Sequence, residues 1–216
     1  MNRGIILSIV FVLTMSVAFL TCSKNNSDTA SQRITMRLIK LNYTNTQGEL
    51  GFTTFYYDST GQLERSVWEL TDGSRNSKNY HRHDDMGREV QKYREFSDGI
   101  TSTNDYEYNE AGQLAVERFS RSDGRSGTTW YEYDSATGHP TQMKCEGLNG
   151  WFFGDVIFET DSTGRKIRAD IFKDGEPYGT IEYGYDSAGY LNREHWILAD
   201  GQWSQTFTHE YEPVKF

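Results

Sequence analysis

The chain has 216 residues, of which 36% are hydrophobic and 14% aromatic, and its formal net charge is −9. The low aliphatic content argues against a thick globular core, whereas the aromatic fraction is too high for a disordered chain. The acidic balance argues against nucleic acid or an anionic membrane surface as a partner, because phosphates demand a basic patch. The two cysteines, Cys22 and Cys145, offer no disulfide framework.

Residues 1–21 are predicted to be a signal peptide. Arg3 is followed by a run from Gly4 to Leu20 that is almost wholly apolar and carries no charge. This is the n-region and h-region pattern of a signal sequence. The alternative is a single membrane span, because the 17 residues of this run approach the lower limit for crossing a bilayer.

The residues Phe19-Leu20-Thr21-Cys22-Ser23 resemble the lipobox of bacterial lipoproteins, with departures at Phe19 and Thr21. In that family the chain is cleaved before the cysteine, which then carries a lipid. The resemblance therefore implies a lipid on Cys22 and an address in the bacterial cell envelope, at the periplasmic or the surface face of the outer membrane. An ordinary secretory signal or an uncleaved anchor is the alternative. The polar residues up to Arg33 complete a flexible tether over residues 22–33.

The remaining segment, residues 34–216, is predicted to be one domain built from a repeat. The sequence Tyr106-Glu107-Tyr108-Asn109-Glu110-Ala111-Gly112-Gln113-Leu114 recurs along the segment with small changes. The glycines of successive copies are 25 or 26 residues apart, and they are Gly61, Gly87, Gly112, Gly138, Gly164 and Gly189. A fixed period of this size indicates a repeat architecture.

Each repeat contains two kinds of turn. The pattern Asp/Asn-x-x-Gly predicts a type I turn followed by a G1 bulge at the glycine. The dipeptides Asp-Gly and Asn-Gly predict two-residue type I′ hairpins, in which both residues need positive φ. These dipeptides are Asp72-Gly73, Asp98-Gly99, Asp123-Gly124, Asn149-Gly150, Asp174-Gly175 and Asp200-Gly201.

The segments between the turns are about ten residues long and rich in Tyr, Thr, Phe, Val and Ile, which is typical of strands. The sequence therefore predicts an all-β fold. We expect an antiparallel β-meander of about 14 strands, built from hairpin repeats and arranged as a coiled or spiral open sheet.

Turn geometry predicts the register of these strands. The residue before the turn Asp should face the second residue after the glycine, which pairs Tyr57 with Leu63, Tyr108 with Leu114 and Tyr185 with Leu191. Tyr106 should then face Val116. A second column lies seven residues after each glycine and consists of Trp68, Arg94, Phe119, Cys145, Ile171 and Trp196. Because its parity is opposite to that of the leucines, either both faces carry apolar rows or bulges bring both columns to one face.

The run Tyr-x-Tyr-Asp-x-x-Gly-x-Leu resembles the YD repeat of Rhs-type bacterial proteins, over residues 50–213. In that family successive β-hairpins wind into a spiral sheet, which at many repeats closes into a hollow shell around a toxin. The period of 25–26 residues is longer than the usual one, and the proline- and arginine-rich core segment and the toxin domain are missing. The resemblance therefore implies the repeat type and does not carry toxin delivery to this chain.

The sequence contains few candidates for chemistry. His81 and His83 could be read as metal ligands, but they take the places that Tyr106 and Tyr108 have in another repeat, so we predict a structural substitution and neither a metal nor another cofactor. Cys145 is predicted to be a small buried hydrophobe. The glutamates between the repeated aromatic residues are predicted to form a solvated acidic row, and they are Glu107, Glu132 and Glu159. No enzyme is predicted; a hydrolase with a site near His81 and His83 is the rival class.

Trp130, Trp151 and Trp203 lie outside the main aromatic columns, near the strands that follow Asp-Gly or Asn-Gly turns. Aromatic rings on sheet surfaces bind sugars or proteins, and the residues around Trp151 and Trp203 resemble choline-binding cell-wall repeats. We therefore predict an envelope-anchored binding or scaffolding module that uses these tryptophans, with a polysaccharide or an envelope protein as partner. Packing of the same rings against the sheet is the alternative, and a structural protein-protein interaction module is the alternative function.

Overall fold

The computed structural model describes residues 36–147 and 154–214, which belong to the compact unit Ile34–Phe216. The described residues form 14 antiparallel strands, and no helix among them is long and apolar enough to cross a membrane. The strands are β1 (Met36–Asn45), β2 (Leu50–Tyr57), β3 (Leu63–Leu70), β4 (Asn76–His83), β5 (Glu89–Phe96), β6 (Thr101–Tyr108), β7 (Leu114–Arg121), β8 (Ser126–Tyr133), β9 (Pro140–Gly147), β10 (Gly154–Thr160), β11 (Lys166–Lys173), β12 (Glu176–Tyr185), β13 (Leu191–Leu198) and β14 (Ser204–Pro213).

Each strand pairs with its neighbours in the sequence, and β1 also pairs with β14, so that the sheet closes into a barrel. The closing ladder runs from Met36 opposite Pro213 to Asn45 opposite Gln205. The predicted all-β meander of 14 strands is confirmed. The sheet differs from the predicted open spiral because the first and last strands satisfy each other's backbone groups, which removes both edges.

The Asp-x-x-Gly turns have the predicted geometry. At the first of them, Gly61 N donates to Asp58 O at 3.1 Å, Asp58 N donates to Gln62 O at 2.9 Å, and Gly61 has a φ of 86°. The side chain of Asp58 accepts hydrogen bonds from the hydroxyl and the backbone N–H of Thr60, and these bonds lower the pKa of its carboxyl group. The carboxylate is therefore engaged in hydrogen bonds within the turn.

The Asp-Gly turns depart from prediction. Asp174 is the only non-glycine residue with positive φ in the described part of the chain, and only there, with Lys173 opposite Glu176, is the predicted two-residue hairpin confirmed. The type I′ prediction is wrong at Asp72, Asp98, Asp123 and Asp200. At Asp98 the loop is one residue longer, because Gly99 N donates to Phe96 O at 3.0 Å and Phe96 N donates to Ile100 O at 2.9 Å. The glycine alone then takes the left-handed conformation, which is costly for other residues. Asn149-Gly150 lies outside the described residues.

A bulge after each Asp-x-x-Gly turn sets the register. Tyr57 faces Leu63, Tyr108 faces Leu114 and Tyr185 faces Leu191, as predicted. The prediction that Tyr106 faces Val116 is wrong, because the ladder skips one residue and Tyr106 faces Glu117.

The same bulge decides between the two interpretations of the second apolar column. It changes the parity of the strand, so that both columns point into the barrel. The second column is therefore inside, and its members Trp68, Cys145, Ile171 and Trp196 are buried. Cys145 is a small buried residue, as predicted, and Thr129 Oγ1 donates to its sulfur at 3.4 Å. Arg94 also points inward, where it donates from Nε to Asn79 Oδ1.

The barrel interior has an apolar and a polar sector. The buried hydrophobic residues lie on β1–β3 and β9–β14, and within the described chain the buried residues of β4–β8 are all polar. The polar sector is hydrogen bonded: Asn104 Nδ2 donates to Glu117, and Tyr131 OH donates to the other Glu117 oxygen at 2.9 Å. Burial lowers the pKa of Lys92 in this sector. The interior thus contains internally satisfied polar groups, which agrees with the low aliphatic content of the sequence.

The repeated tyrosine before the turn Asp joins adjacent hairpins. The β11–β12 ladder ends at Arg168 opposite Glu182, and beyond it Tyr185 OH donates to Lys166 O at 2.8 Å. The same bond to the preceding strand is made by Tyr57, Tyr108, Tyr133 and Tyr211. Burial raises the pKa of Tyr57, Tyr185 and Tyr211 to about 12, which keeps these hydroxyl groups protonated as donors.

Candidate binding surface

Exposed aromatic rings are the feature of the outer face that points to binding. Among the described residues, most outward positions carry polar or charged side chains, and large rings are exposed at four of them. Tyr56 is 41% exposed, Tyr80 40%, Trp130 38% and Tyr93 36%. Exposed rings that lie together are worth explaining, because soluble chains seldom leave contiguous apolar surface open to water.

Three of these rings lie in one line. Tyr56 on β2 faces Arg65 on β3, Arg65 faces Tyr80 on β4, and Tyr80 faces Tyr93 on β5. We call these four residues the tyrosine row. Directly opposed residues on neighbouring strands have their side chains on the same face of the sheet. The row therefore crosses four adjacent strands without interruption on the outside of the barrel.

The side chains of the tyrosine row contact one another. The ring centroids of Tyr80 and Tyr93 are 6.3 Å apart with planes tilted by 30°. The guanidinium carbon of Arg65 lies 4.3 Å from the centroid of the Tyr56 ring, in cation–π geometry. Tyr80 OH lies 3.4 Å from a carboxylate oxygen of Glu95. The row thus presents ring faces, hydroxyl groups and one guanidinium group to solvent.

Two further cations flank the middle of the row. Lys78 and Arg82 are both exposed and lie two residues before and two residues after Tyr80 on β4, with side chains on its face of the sheet. Within the described residues, no carboxylate lies within 4.0 Å of the charged groups of Arg65, Lys78 and Arg82. The rings are accompanied by three cations that form no ion pair among the described residues, although Lys78 faces Glu95 on β5.

The tryptophans predicted from sequence are not gathered in one place. Trp130 is exposed on the outer face of β8, and Trp203 is half-buried just before β14. Five strands separate β8 from β14 along the shorter path around the barrel. Trp151 lies outside the described residues, as does Cys22. The binding role of these tryptophans stays a prediction.

His81 points into the barrel, as Tyr106 does at the corresponding place of its own repeat. Its Nδ1 lies 2.9 Å from Glu89 Oε1, and its Nε2 lies 3.1 Å from Ser66 Oγ. This order of serine, imidazole and carboxylate is the order of a nucleophilic triad. However, Ser66 is 1% exposed and the His81 side chain 0% exposed. A substrate has no access to the hydroxyl group, so the arrangement serves the polar interior.

The remaining residues singled out by sequence are candidate metal ligands and the acidic row. Among the described residues, no three His, Cys, Asp or Glu side chains are placed to hold a metal ion together. The predicted acidic row is confirmed as exposed, since Glu107, Glu132 and Glu159 all face solvent. Glu107 is paired with Arg118.

An alignment of the repeats does not reveal the tyrosine row. Tyr56 lies two residues before its turn Asp and Tyr80 lies four residues before its own, so the two occupy different positions of the repeat. They meet because each hairpin is displaced by two residues relative to the previous one, which is the stagger of tilted strands in a barrel. The tyrosine row could have been found from the sequence only by applying this two-residue stagger when the strands are aligned with one another.

No family model and no curated protein matches the chain. Among solved structures, the chain is similar to a porin-like protein from Bacteroides uniformis, with 12% identity over 81% of this chain and 96% of that chain and a TM-score of 0.48. A putative outer membrane lipoprotein-sorting protein domain from Vibrio parahaemolyticus matches with 9% identity over 83% and 85% of the two chains, with a TM-score of 0.41.

A third similar structure is TcdB2-TccC3 without its hypervariable C-terminal region. It matches 80% of this chain and 10% of its own length at 18% identity, with a TM-score of 0.34. No conclusion about function rests on these three likenesses.

Proposed function

We propose that this chain is an envelope-anchored lipoprotein whose barrel binds an extended polysaccharide through the tyrosine row. The observation that carries the proposal is the unbroken line of Tyr56, Arg65, Tyr80 and Tyr93 across four strands, with all three rings exposed. Sugars present apolar ring faces with polar edges, and a surface of exposed tyrosines offers the matching combination of flat face and hydroxyl group.

The length of the row favours a polymer over a single sugar. Neighbouring strands are about 4.8 Å apart, so the three intervals from β2 to β5 span about 14 Å. A linear chain lying across the strands would contact successive rings at once, and weak contacts that act together give useful affinity.

The anchoring half of the proposal comes from the sequence. The lipobox-like residues before Cys22 support a lipid on this cysteine, and the tether of residues 22–33 would hold the barrel away from the lipid headgroups. A barrel on such a tether can bind ligands of the cell envelope close to the membrane in which its lipid is inserted.

The proposal is tested by replacing the central ring. Tyr80→Ala should weaken binding to the polysaccharides retained by the unmodified protein in affinity electrophoresis by about tenfold, because truncation of an aromatic anchor commonly costs more than 1 kcal/mol. Trp130→Ala is the matched control, since Trp130 is equally exposed but stands alone on β8. The circular dichroism melting curves of both variants should match the parent.

The two substitutions separate the tyrosine row from the surface predicted on sequence. Loss of binding in Trp130→Ala with full binding in Tyr80→Ala would contradict the proposed site and favour the tryptophans. If the unmodified protein retains none of the polymers in a panel of neutral and acidic polysaccharides, the carbohydrate function itself is wrong.

A further inference from the structure

We infer that the polymer bound by the tyrosine row is an acidic polysaccharide whose sugars carry carboxylate groups, an inference that rests on the proposed function. The charged side chains around the row support this inference: Arg65 lies within the row, and Lys78 and Arg82 flank its central ring. A uronic acid polymer offers both things that this surface can engage, a ring face for stacking and a carboxylate for the cations.

The outer face of β2–β5 differs in charge from the rest of the chain. Its outward positions carry three cations, Arg65, Lys78 and Arg82, and three acids, Glu69, Glu95 and the exposed bulge residue Glu64. The outward positions of β6–β10 carry two cations, Arg118 and Lys144, and six acids, Asp105, Glu107, Glu132, Glu146, Asp155 and Glu159. The net charge is therefore 0 on the first surface and −4 on the second, in a chain of net charge −9.

The two surfaces differ more in how their cations are paired than in how many cations they carry. On β6–β10, Arg118 is paired with Glu107, and Lys144 Nζ lies 2.8 Å from Glu146 Oε1. On β2–β5, Arg65, Lys78 and Arg82 have no such pair among the described residues. Both outward cations of β6–β10 are paired with a carboxylate, whereas on β2–β5 Lys78 faces Glu95 without forming an ion pair, and Arg65 and Arg82 face uncharged residues.

The geometry matches a polymer whose charges are spaced along its length. Two residues along a strand correspond to about 7 Å, so Lys78 and Arg82 lie about 7 Å to either side of Tyr80. Arg65 stacks on Tyr56, which holds the guanidinium plane against the ring and leaves its N–H edge for a carboxylate. A sugar stacked on Tyr80 would therefore place its carboxylate within reach of a cation in either orientation.

The charge of the whole chain restricts the class of anion. A duplex or a phosphate-rich polymer presents a dense line of charge that would also approach the acidic surfaces of β6–β10, where exposed carboxylates repel it. A uronic acid polymer carries one charge for each sugar, and its remaining surface is hydroxyl groups and ring faces. The combination of a small basic patch with exposed rings suits this lower charge density.

The test compares two polymers that differ only in charge, polygalacturonate and its methyl ester. Isothermal titration at low salt should show that the full-length protein binds the acid form about tenfold more tightly than the ester, and that this preference falls toward one as added salt screens the exposed charges. The double variant Lys78→Gln/Arg82→Gln should lose the preference and keep the binding of the ester. Lys144→Gln is the matched control and should keep the preference.

The outcomes distinguish this inference from the proposed function. Equal binding of both polymers, or a preference that survives in the double variant, overturns the inference and leaves polysaccharide binding in place. Failure of both polymers to bind, together with failure of every neutral polymer, overturns both. Equally tight binding of double-stranded DNA at the same face would show attraction of any polyanion and would also overturn the inference.

Discussion

At the scale of single residues, the repeated tyrosine has a mechanical role. It lies at the end of an even-numbered strand, beyond the last backbone pair with the preceding strand, and its hydroxyl group bridges the gap to a carbonyl there. The two repeats that have His83 and Thr160 at this position make no such bond among the described contacts. The tyrosine of the Tyr-x-Tyr-Asp motif therefore stabilises the contact between hairpins.

Removal of one such hydroxyl group should destabilise the barrel. Tyr185→Phe keeps the ring under the Arg165 guanidinium group but deletes the donor to Lys166 O. We expect the free energy of unfolding in urea to fall by about 0.5–1.5 kcal/mol, the usual net contribution of a hydrogen bond.

The control for that measurement is Tyr93→Phe. Tyr93 lies on the outer face, so its change should stay within about 0.5 kcal/mol, as is usual for surface substitutions. Equal free energies for Tyr185→Phe and the parent would show that the bridging bond contributes nothing.

Cys22 is the second residue with a definite expectation. Cys22→Ser should abolish metabolic labelling with a palmitate analogue and release the protein from the membrane fraction, because serine cannot accept the lipid through a thioether. Labelling and membrane association that persist in the variant would contradict lipoprotein anchoring.

At the scale of strands and turns, the sequence predicts the features that recur from one repeat to the next. The Asp-x-x-Gly turns, the number of strands and the pairs Tyr57–Leu63, Tyr108–Leu114 and Tyr185–Leu191 follow from local chemistry, and all are present. The wrong register predicted for Tyr106 also has a local cause. The bulge skips one residue of the strand, and no particular residue type marks the skipped position. Ala115 occupies that position here and Glu64 in the first copy.

The Asp-Gly turns show how a strong local preference can be overruled. An Asp-Gly dipeptide favours type I′ when only two residues connect the strands. At Asp98 the turn includes one residue more, and Ile100 N donates to Asp98 Oδ1 at 3.0 Å. The aspartate then serves as an acceptor and keeps a negative φ. The dipeptide alone does not reveal how many residues the flanking strands leave for the loop.

The candidate site was the least predictable part because it lies on the face that does not repeat. Inward positions recur since each hairpin must fill the same kind of space, whereas outward positions vary freely among Thr54, Tyr80, Asp105, Trp130 and Ile157. The neighbours of an outward residue depend on the stagger between hairpins. Sequence reasoning could identify surplus aromatic residues, but it could not bring Tyr56, Tyr80 and Tyr93 together.

At the scale of the whole molecule, closure is the property that the sequence did not decide. The repeat specifies how one hairpin pairs with the next, and this rule is compatible with both an open spiral sheet and a closed barrel. Here β1 and β14 form a ladder from Met36 to Asn45, so no strand edge remains along it for pairing with another chain.

A designed disulfide tests closure most directly. Thr44 on β1 lies opposite Thr206 on β14, and cross-strand partners have the separation that a disulfide requires. The double variant Thr44→Cys/Thr206→Cys should form an intramolecular crosslink on mild oxidation, detectable by mass spectrometry of the digested monomer. The control variant Thr44→Cys/Thr103→Cys, with its second cysteine on β6, should form none. Absence of the β1–β14 crosslink, or crosslinks found only between molecules, would contradict the closed barrel and favour an open spiral sheet.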